Sequence, residues 1–383
     1  MDNKKKSALY IHIPFCVKKC AYCDFASYED FSMQEVYFDA LKKEIRVASE
    51  QWSNTEFDTL FLGGGTPSSV KNEYIEGALD AINKYFKVRF IESTIEANPG
   101  TVDWHKLQFY RYLGIDRISF GVQAAQDDLL SKVGRIHTFE EVQENLALAC
   151  RAGFANISID LMSGLPEQTE EDLLESVEQA KKLCVSHVSL YTLKLEEGTR
   201  LYDDVEKGRV SLPSKDEEYE MSFMARKRLK EHGYSRYEIS NYAKEGFECK
   251  HNLHYWHNDD YLGLGLAAAS AQDGLRSINS RDMGEYLFKI NSGDFAYEES
   301  VKSSDEEFAY ETLMLGLRLT RGVNIEEYKS RHNINLLERL KSEIESFSKR
   351  GLAEVSEGRF FFTEKGLDLQ NSLLVDIMEK FDF

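Results

Sequence analysis

Tyr10-Ile11-His12-Ile13-Pro14-Phe15-Cys16 opens as a short run of strand-forming residues and ends in a loop that carries two more thiols, Cys20 and Cys23. Downstream segments repeat the strand and vary the loop. Residues 59–62, 94–97, 117–120, 157–161 and 188–193 read as further strands. Between them, residues 33–48, 74–86, 102–112, 139–152 and 170–183 carry helical periodicity. Strand–helix units in tandem require parallel strands joined by right-handed crossovers, which predicts an α/β fold: a partial (β/α)6 barrel. A doubly wound open sheet is the competing architecture.

Three thiols within eight residues are a soft donor set, suited to zinc, copper or an iron-sulfur cluster. A [4Fe-4S] cube takes four cysteines, and no fourth lies near, so one iron would be left for an external ligand. The alternatives are a structural zinc completed by His12 or a remote His, and unpaired cysteines with no shared role. Pro14, Phe15, Val17, Tyr22 and Phe25 are expected to shield the loop from solvent. Barrel chemistry gathers at the C-terminal ends of the strands, where this loop lies. Other polar residues fall at matching positions. Gly63-Gly64-Gly65-Thr66-Pro67 ends the second strand, Glu96 the third and Gln123 the fourth, while Asp160 lies near the end of the fifth and Arg135 in the connection after Gln123. Each alone is a turn or a cap; together they predict one pocket facing the cysteine loop.

After residue 200 the rhythm breaks. A charged helix over 214–231 precedes a short strand at 237–240 and an aromatic, His-rich loop over 251–256. The small-residue run 263–270 is a place where backbones or a flat ligand approach closely. From about 303, helices over 305–319 and 336–350, a hairpin around 356–359 and a last helix resemble a winged-helix arrangement. The predicted division is 1–200 for the barrel, 201–300 for an extension and 301–383 for an α-rich C-terminal domain that packs or docks.

The 383 residues include 47 Lys and Arg against 66 Asp and Glu, a formal charge of −19, which argues against a nucleic-acid partner. With 42% hydrophobic and 30% charged residues the chain reads as folded. The apolar run after the lysines at the N-terminus is too short for a signal sequence, and no run is long enough for a membrane span. A cytoplasmic protein that meets a membrane only through partners is expected, and six scattered or clustered cysteines fit a reducing compartment.

Taken with its flanks, Tyr10-x-His12-x-Pro14-x-Cys16-x3-Cys20-x2-Cys23 resembles the signature of the radical SAM superfamily. Leu-Gly-Gly-Gly-Thr-Pro-Ser (62–68), Gly-Val-Gln (121–123) and Asp-Leu-Met-Ser-Gly-Leu-Pro (160–166) are similar to the branch holding oxygen-independent coproporphyrinogen III oxidase and the haem chaperone HemW. The resemblance implies a [4Fe-4S] cluster on Cys16, Cys20 and Cys23. It also implies S-adenosylmethionine in contact with Tyr10, Tyr22, Gly64, Gly65, Thr66, Glu96, Gln123, Arg135 and Asp160. The oxidase pattern continues Cys-x-Cys after the third ligand; Phe25 stands there instead, against oxidative decarboxylation. His251-Asn252-Leu253-His254-Tyr255-Trp256 matches the HNxxYW motif of the chaperone type, which implies haem at His251, Asn252, Tyr255 and Trp256. His254 and Cys249 compete for the axial role, and a His expected near 269 is replaced by Ala269. The implied partners are haem, haem-accepting apoproteins of the respiratory or haem-storage kind, and a second copy in a homodimer. The rival is a radical SAM enzyme acting on a porphyrinogen.

Overall fold

The computed structural model describes residues 6–382; the lysine-rich start, 1–5, lies outside them. Six strands, β1 (Lys6–Ile13), β2 (Glu56–Gly64), β3 (Lys87–Ala97), β4 (Arg117–Gln123), β5 (Asn156–Ser163) and β6 (His187–Thr192), stand side by side in chain order. Every neighbouring pair is parallel. A doubly wound sheet reverses its order at a switch point. No reversal occurs between β1 and β6, so the partial barrel is the architecture. Helices Gln34–Gln51, Asn72–Tyr85, Trp104–Tyr112, Phe139–Arg151 and Glu170–Lys182 fill the five connections, and Lys215–Glu231 packs beside the last of them.

Parallel strands covered on both faces usually read as continuous apolar runs. These alternate. Leu9, Ile11 and Ile13, Leu60 and Leu62, Ile118 and Phe120, and Ile157 and Ile159 are buried with Phe38, Leu41, Leu79, Leu146 and Val177 of the helices. Apart from Phe61, the intervening residues are polar, and the parallel register lines them up: Glu96 beside Ser119, Ser119 beside Ser158, Ser158 beside His187, Asp160 beside Ser189. The concave side of the sheet is therefore a polar chamber inside an apolar shell.

Residues 201–300 extend both edges. Tyr261–Leu264 pairs parallel to β1, and Ala269–Gln272, Leu275–Asn279 and Tyr297–Lys302 continue antiparallel; Asn241–Ala243 and Ser235–Arg236 add antiparallel to β6. The strand expected at 237–240 is instead the loop between the last two. Glu238 accepts from the Ser240 amide, and the Arg236 guanidinium donates to the carbonyls of Glu238 and Ile239, which closes a turn. In the small-residue run, a Cβ on Gly263 would meet the Ala269 carbonyl oxygen at 2.1 Å. It is backbone that approaches there.

The C-terminal module has its own core around Leu313, Leu317, Tyr328, Phe347, Phe360 and Phe362. Helices Asp305–Gly316, Ile325–His332 and Lys341–Lys349 precede the hairpin Ala353–Ser356/Arg359–Phe362, whose second strand also pairs with Val323–Asn324, in the winged-helix-like manner expected. Among the described residues no helix is long and apolar enough to cross a membrane.

One buried carboxylate joins the first helix to the extension. Glu44 accepts from the Gly265 amide at 2.8 Å, Asn279 Nδ2 at 2.7 Å and Tyr286 Oη at 2.7 Å, and burial pushes its pKa up to about 7 in spite of them. Glu44→Ala strands three buried donors, each costing about 1–3 kcal/mol when unpaired. A fall in the urea midpoint equivalent to about 3 kcal/mol or more, at unchanged slope, is expected.

Candidate functional site

The cysteine loop is pinned to β2 by backbone. Gly65 N donates to the Ile13 carbonyl at 2.9 Å and Thr66 N to the Phe15 carbonyl at 2.8 Å. A Cβ on Gly65 would sit 2.8 Å from both N and O of Phe15, so this approach requires glycine. Farther along, Cys16 N donates to Tyr28 O, and Ala21 N to Val133 O. His12 closes the loop from below. Its Nε2 donates to Ala26 O at 2.8 Å while its Nδ1 accepts from Tyr10 Oη at 3.1 Å, and burial holds the ring neutral, with a pKa lowered to about 4.

Cys16 is buried, and Cys20 and Cys23 are partly exposed. The thiols lie within electrostatic reach of one another, and burial pushes Cys16 and Cys23 up. Ligation by metal removes those protons. The Thr66 hydroxyl donates to Cys16 Sγ at 3.5 Å. His12, the proposed fourth donor for a zinc ion, has both ring nitrogens engaged, and among the described residues no three His, Cys, Asp or Glu side chains gather as closely as one ion needs. Three thiols around one short loop, with no fourth protein donor among the described residues, fit a cube with an open corner. The shielding expected of Phe25 and Val17 is absent within this chain: Phe25 is 66% and Val17 52% exposed, whereas Phe15 is buried against Tyr37 and Phe31.

The rim residues converge. The Gly64 amide donates to Glu96 Oε2 at 3.1 Å, and Gly64 has a φ of 112°, open to glycine. Burial, reinforced by Asp160, pushes Glu96 up to about 8. Asp160 is also raised by burial, against hydrogen bonds from Ser189 and Ser119 and the charges of Arg117 and Arg135. Around Gly121, whose missing Cβ leaves the space, stand Arg135 Nη2, Asn98 Oδ1 and Gln123 Nε2. Gln123 has a φ of 67°, a strained conformation for a side-chain-bearing residue. Its Oε1 and Arg135 Nε are buried without a partner among the described residues. Tyr22 completes this side, half-buried and within electrostatic reach of Arg135. Unpaired buried donors and acceptors beside a half-buried acid pair fit a zwitterion carrying a carboxylate, an ammonium and hydroxyls.

Asn98, Arg117 and Ser189 were not singled out by sequence. Asn98 links Arg135 Nη1, at 2.8 Å, to Thr66 Oγ1, at 2.9 Å, and so to Cys16. Only its place two residues after Glu96 could have pointed to it.

Residues 251–256, expected as a surface loop, form the helix Lys250–Trp256, and it closes the lower end of the chamber. Glu92, inside β3, accepts from the amides of Lys250 at 3.1 Å and His251 at 3.0 Å. That carboxylate at the exposed amides is why helix forms here. His251 is 1% exposed; Nδ1 bonds Thr59 Oγ1 at 3.0 Å, Nε2 bonds Tyr255 Oη at 2.9 Å, and the ring packs on Phe61. The other axial candidates are engaged too. Cys249 Sγ lies 3.4 Å from Glu92, and although burial opposes it, Asp259 and Asp58 push His254 up to about 9. Asn252 is half-buried on the first turn, and Trp256 lies under the Arg318 guanidinium with Nε1 unpartnered among the described residues.

The Glu96 shift has a sign. Between about pH 5 and pH 8 the folded chain keeps a proton that the unfolded chain, with a carboxyl near 4.5, has lost, so Glu96 erodes stability as pH rises through that window. Glu96→Gln retains an acceptor for Gly64 N. In cofactor-free protein it is expected to flatten the fall in Tm from pH 5 to pH 8, recovering on the order of a few kcal/mol at pH 8.

The Radical SAM superfamily profile matches residues 10–180, and the HemN C-terminal domain profile matches residues 304–369. Radical SAM proteins hold a [4Fe-4S] cluster and S-adenosylmethionine. Along the whole chain, the heme chaperone HemW of Bacillus subtilis is 38% identical over 371 residues, covering 96% of this chain and 98% of that one. The heme chaperone HemW of Lactococcus lactis is 33% identical over 380 residues, covering 99% and 98%. The solved structure of coproporphyrinogen III oxidase (HemN) from Escherichia coli shares the fold, with a TM-score of 0.85 over 98% of this chain and 90% of that one, at 20% identity. A three-thiol loop above a polar barrel chamber, on a chain this similar from end to end, means that the protein belongs to the HemW family of the radical SAM superfamily.

Proposed function

We propose that the chain is a haem chaperone, binding haem and passing it to apoproteins of the respiratory or haem-storage kind, in the cytoplasm and as a homodimer. The observation that carries this reading is the full-length similarity to relatives named heme chaperones. Phe25, exposed where an oxidase has a cysteine, supports it. In this reading residues 1–200 hold the cofactors, 201–300 carry the haem-binding segment 251–256, and 301–383 dock.

When bound, the cluster is a one-electron centre with one iron free for the amino-acid end of S-adenosylmethionine. Cys16, Cys20 and Cys23 hold it. Glu96 and the Gly64–Thr66 turn are suited to the ammonium group, Arg135 to the carboxylate, and Asp160 and Gln123 to ribose hydroxyls. Tyr10 and Tyr22 bound the pocket. Gly121→Ala places a Cβ 2.5 Å from Arg135 Nη2 and so displaces the guanidinium. Binding of S-adenosylmethionine to cluster-loaded protein, measured by equilibrium dialysis, is expected to weaken at least tenfold, or about 1.4 kcal/mol, with iron content unchanged.

Haem on the segment 251–256 imposes a condition. His251 can offer a ring nitrogen to iron only by giving up Thr59 or Tyr255. The function is tested by supplying reconstituted protein anaerobically with haem, and separately with coproporphyrinogen III and S-adenosylmethionine. Stoichiometric uptake of haem with a Soret band, and no vinyl product, is expected. Turnover of the porphyrinogen to vinyl groups would make the chain an oxidative decarboxylase instead.

A further inference from the structure

Where the helix Lys250–Trp256 ends, its last residues leave the barrel and meet the C-terminal module across a cleft of about 770 Å³, counted to its open mouth. That size is within the range of sites for small organic molecules. Trp256 and His257 form one side of the cleft; Val323 and Tyr328, with Arg331 and Arg359, form the other. His257 is exposed, and among the described residues its ring nitrogens make no hydrogen bond. It differs in this from His251 and His254, each held at both nitrogens.

The two arginines are fixed. Arg331 donates to the carbonyls of His257 and Asn258, and Arg359 to those of Arg321 and Gly322, so each guanidinium is oriented by backbone and keeps N–H groups for another acceptor. Carbonyl partners leave the positive charge unneutralised. The cleft also holds two carboxylates, Asp259 and Glu327, and the first is already paired with His254 at 3.0 Å. An unengaged imidazole, an indole and apolar wall, and oriented cations at the edge are the parts needed for a flat metalloporphyrin with two carboxylate arms.

We infer that this cleft is the haem seat of the folded chain, with His257 as axial ligand, Trp256 against the porphyrin, and Arg331 and Arg359 facing its propionates. His251 is then a positioning residue: it locks the helix into the barrel floor so that Trp256 and His257 project into the cleft. The inference rests on the haem-chaperone reading and locates its site.

The test is titration of the full-length protein with ferric protoporphyrin IX, read by the Soret band, for wild type, His257→Ala and His251→Ala. His257→Ala is expected to shift the Soret band and weaken binding at least tenfold, with added imidazole restoring the wild-type spectrum. His251→Ala is expected to lower Tm yet keep the wild-type Soret position. As a second measurement, the dimethyl ester of the same porphyrin, which lacks the charged arms, is expected to bind wild type several-fold more weakly. An unchanged band and affinity in His257→Ala, or equal binding of the ester, overturns the cleft as the haem seat while haem binding itself stands. Absence of any Soret band in wild type overturns the chaperone reading.

Discussion

Two backbone hydrogen bonds, from Gly65 to Ile13 and from Thr66 to Phe15, hold the glycine turn of β2 against the base of the cysteine loop. Everything at the upper rim is referred to that contact. It brings Thr66 to Cys16, Asn98 to Thr66 and Arg135 to Asn98, so the thiols and the charged pocket become parts of one unit. The bonds form only because residue 65 has no Cβ. A site built on backbone approach has little freedom to relax, and that rigidity suits a pocket whose ligands must meet at one iron.

The chamber below is polar for the same reason that the shell is apolar: residues two apart share a face. Its acids, Glu96, Asp160 and Glu92, and its bases, Arg117 and Arg135, stand together, with Glu92 and Arg117 buried, and burial raises Glu96 and Asp160 in spite of the arginines. Glu92 has a different use. It receives the first amides of the helix Lys250–Trp256 and thereby seals the floor. The residues beyond the helix face the C-terminal module across a cleft.

The tandem strand–helix units and the thiol spacing were legible, and the five helices between the barrel strands lie within a few residues of where periodicity places them. The misread segments share a cause. Residues 237–240 have strand-like composition, but Glu238 and Arg236 turn the chain by local bonds. Residues 251–256 look like a loop because the carboxylate that makes them helical, Glu92, is more than 150 residues away. Composition near the cysteines predicts shielding by Phe25, whereas side-chain direction puts that ring in solvent.

By itself the amino-acid order determined the donor chemistry, three thiols and no fourth beside a rim of acids, amides and an arginine, because ligand type and strand period are local properties. Tertiary structure alone decided which histidine is free. His251, His254 and His257 are nearly adjacent in the chain, yet the barrel takes both nitrogens of the first, two aspartates take those of the second, and the third is left facing the cleft. An imidazole can serve a metal only where folding has left it a lone pair, and that depends on partners that the local sequence does not contain.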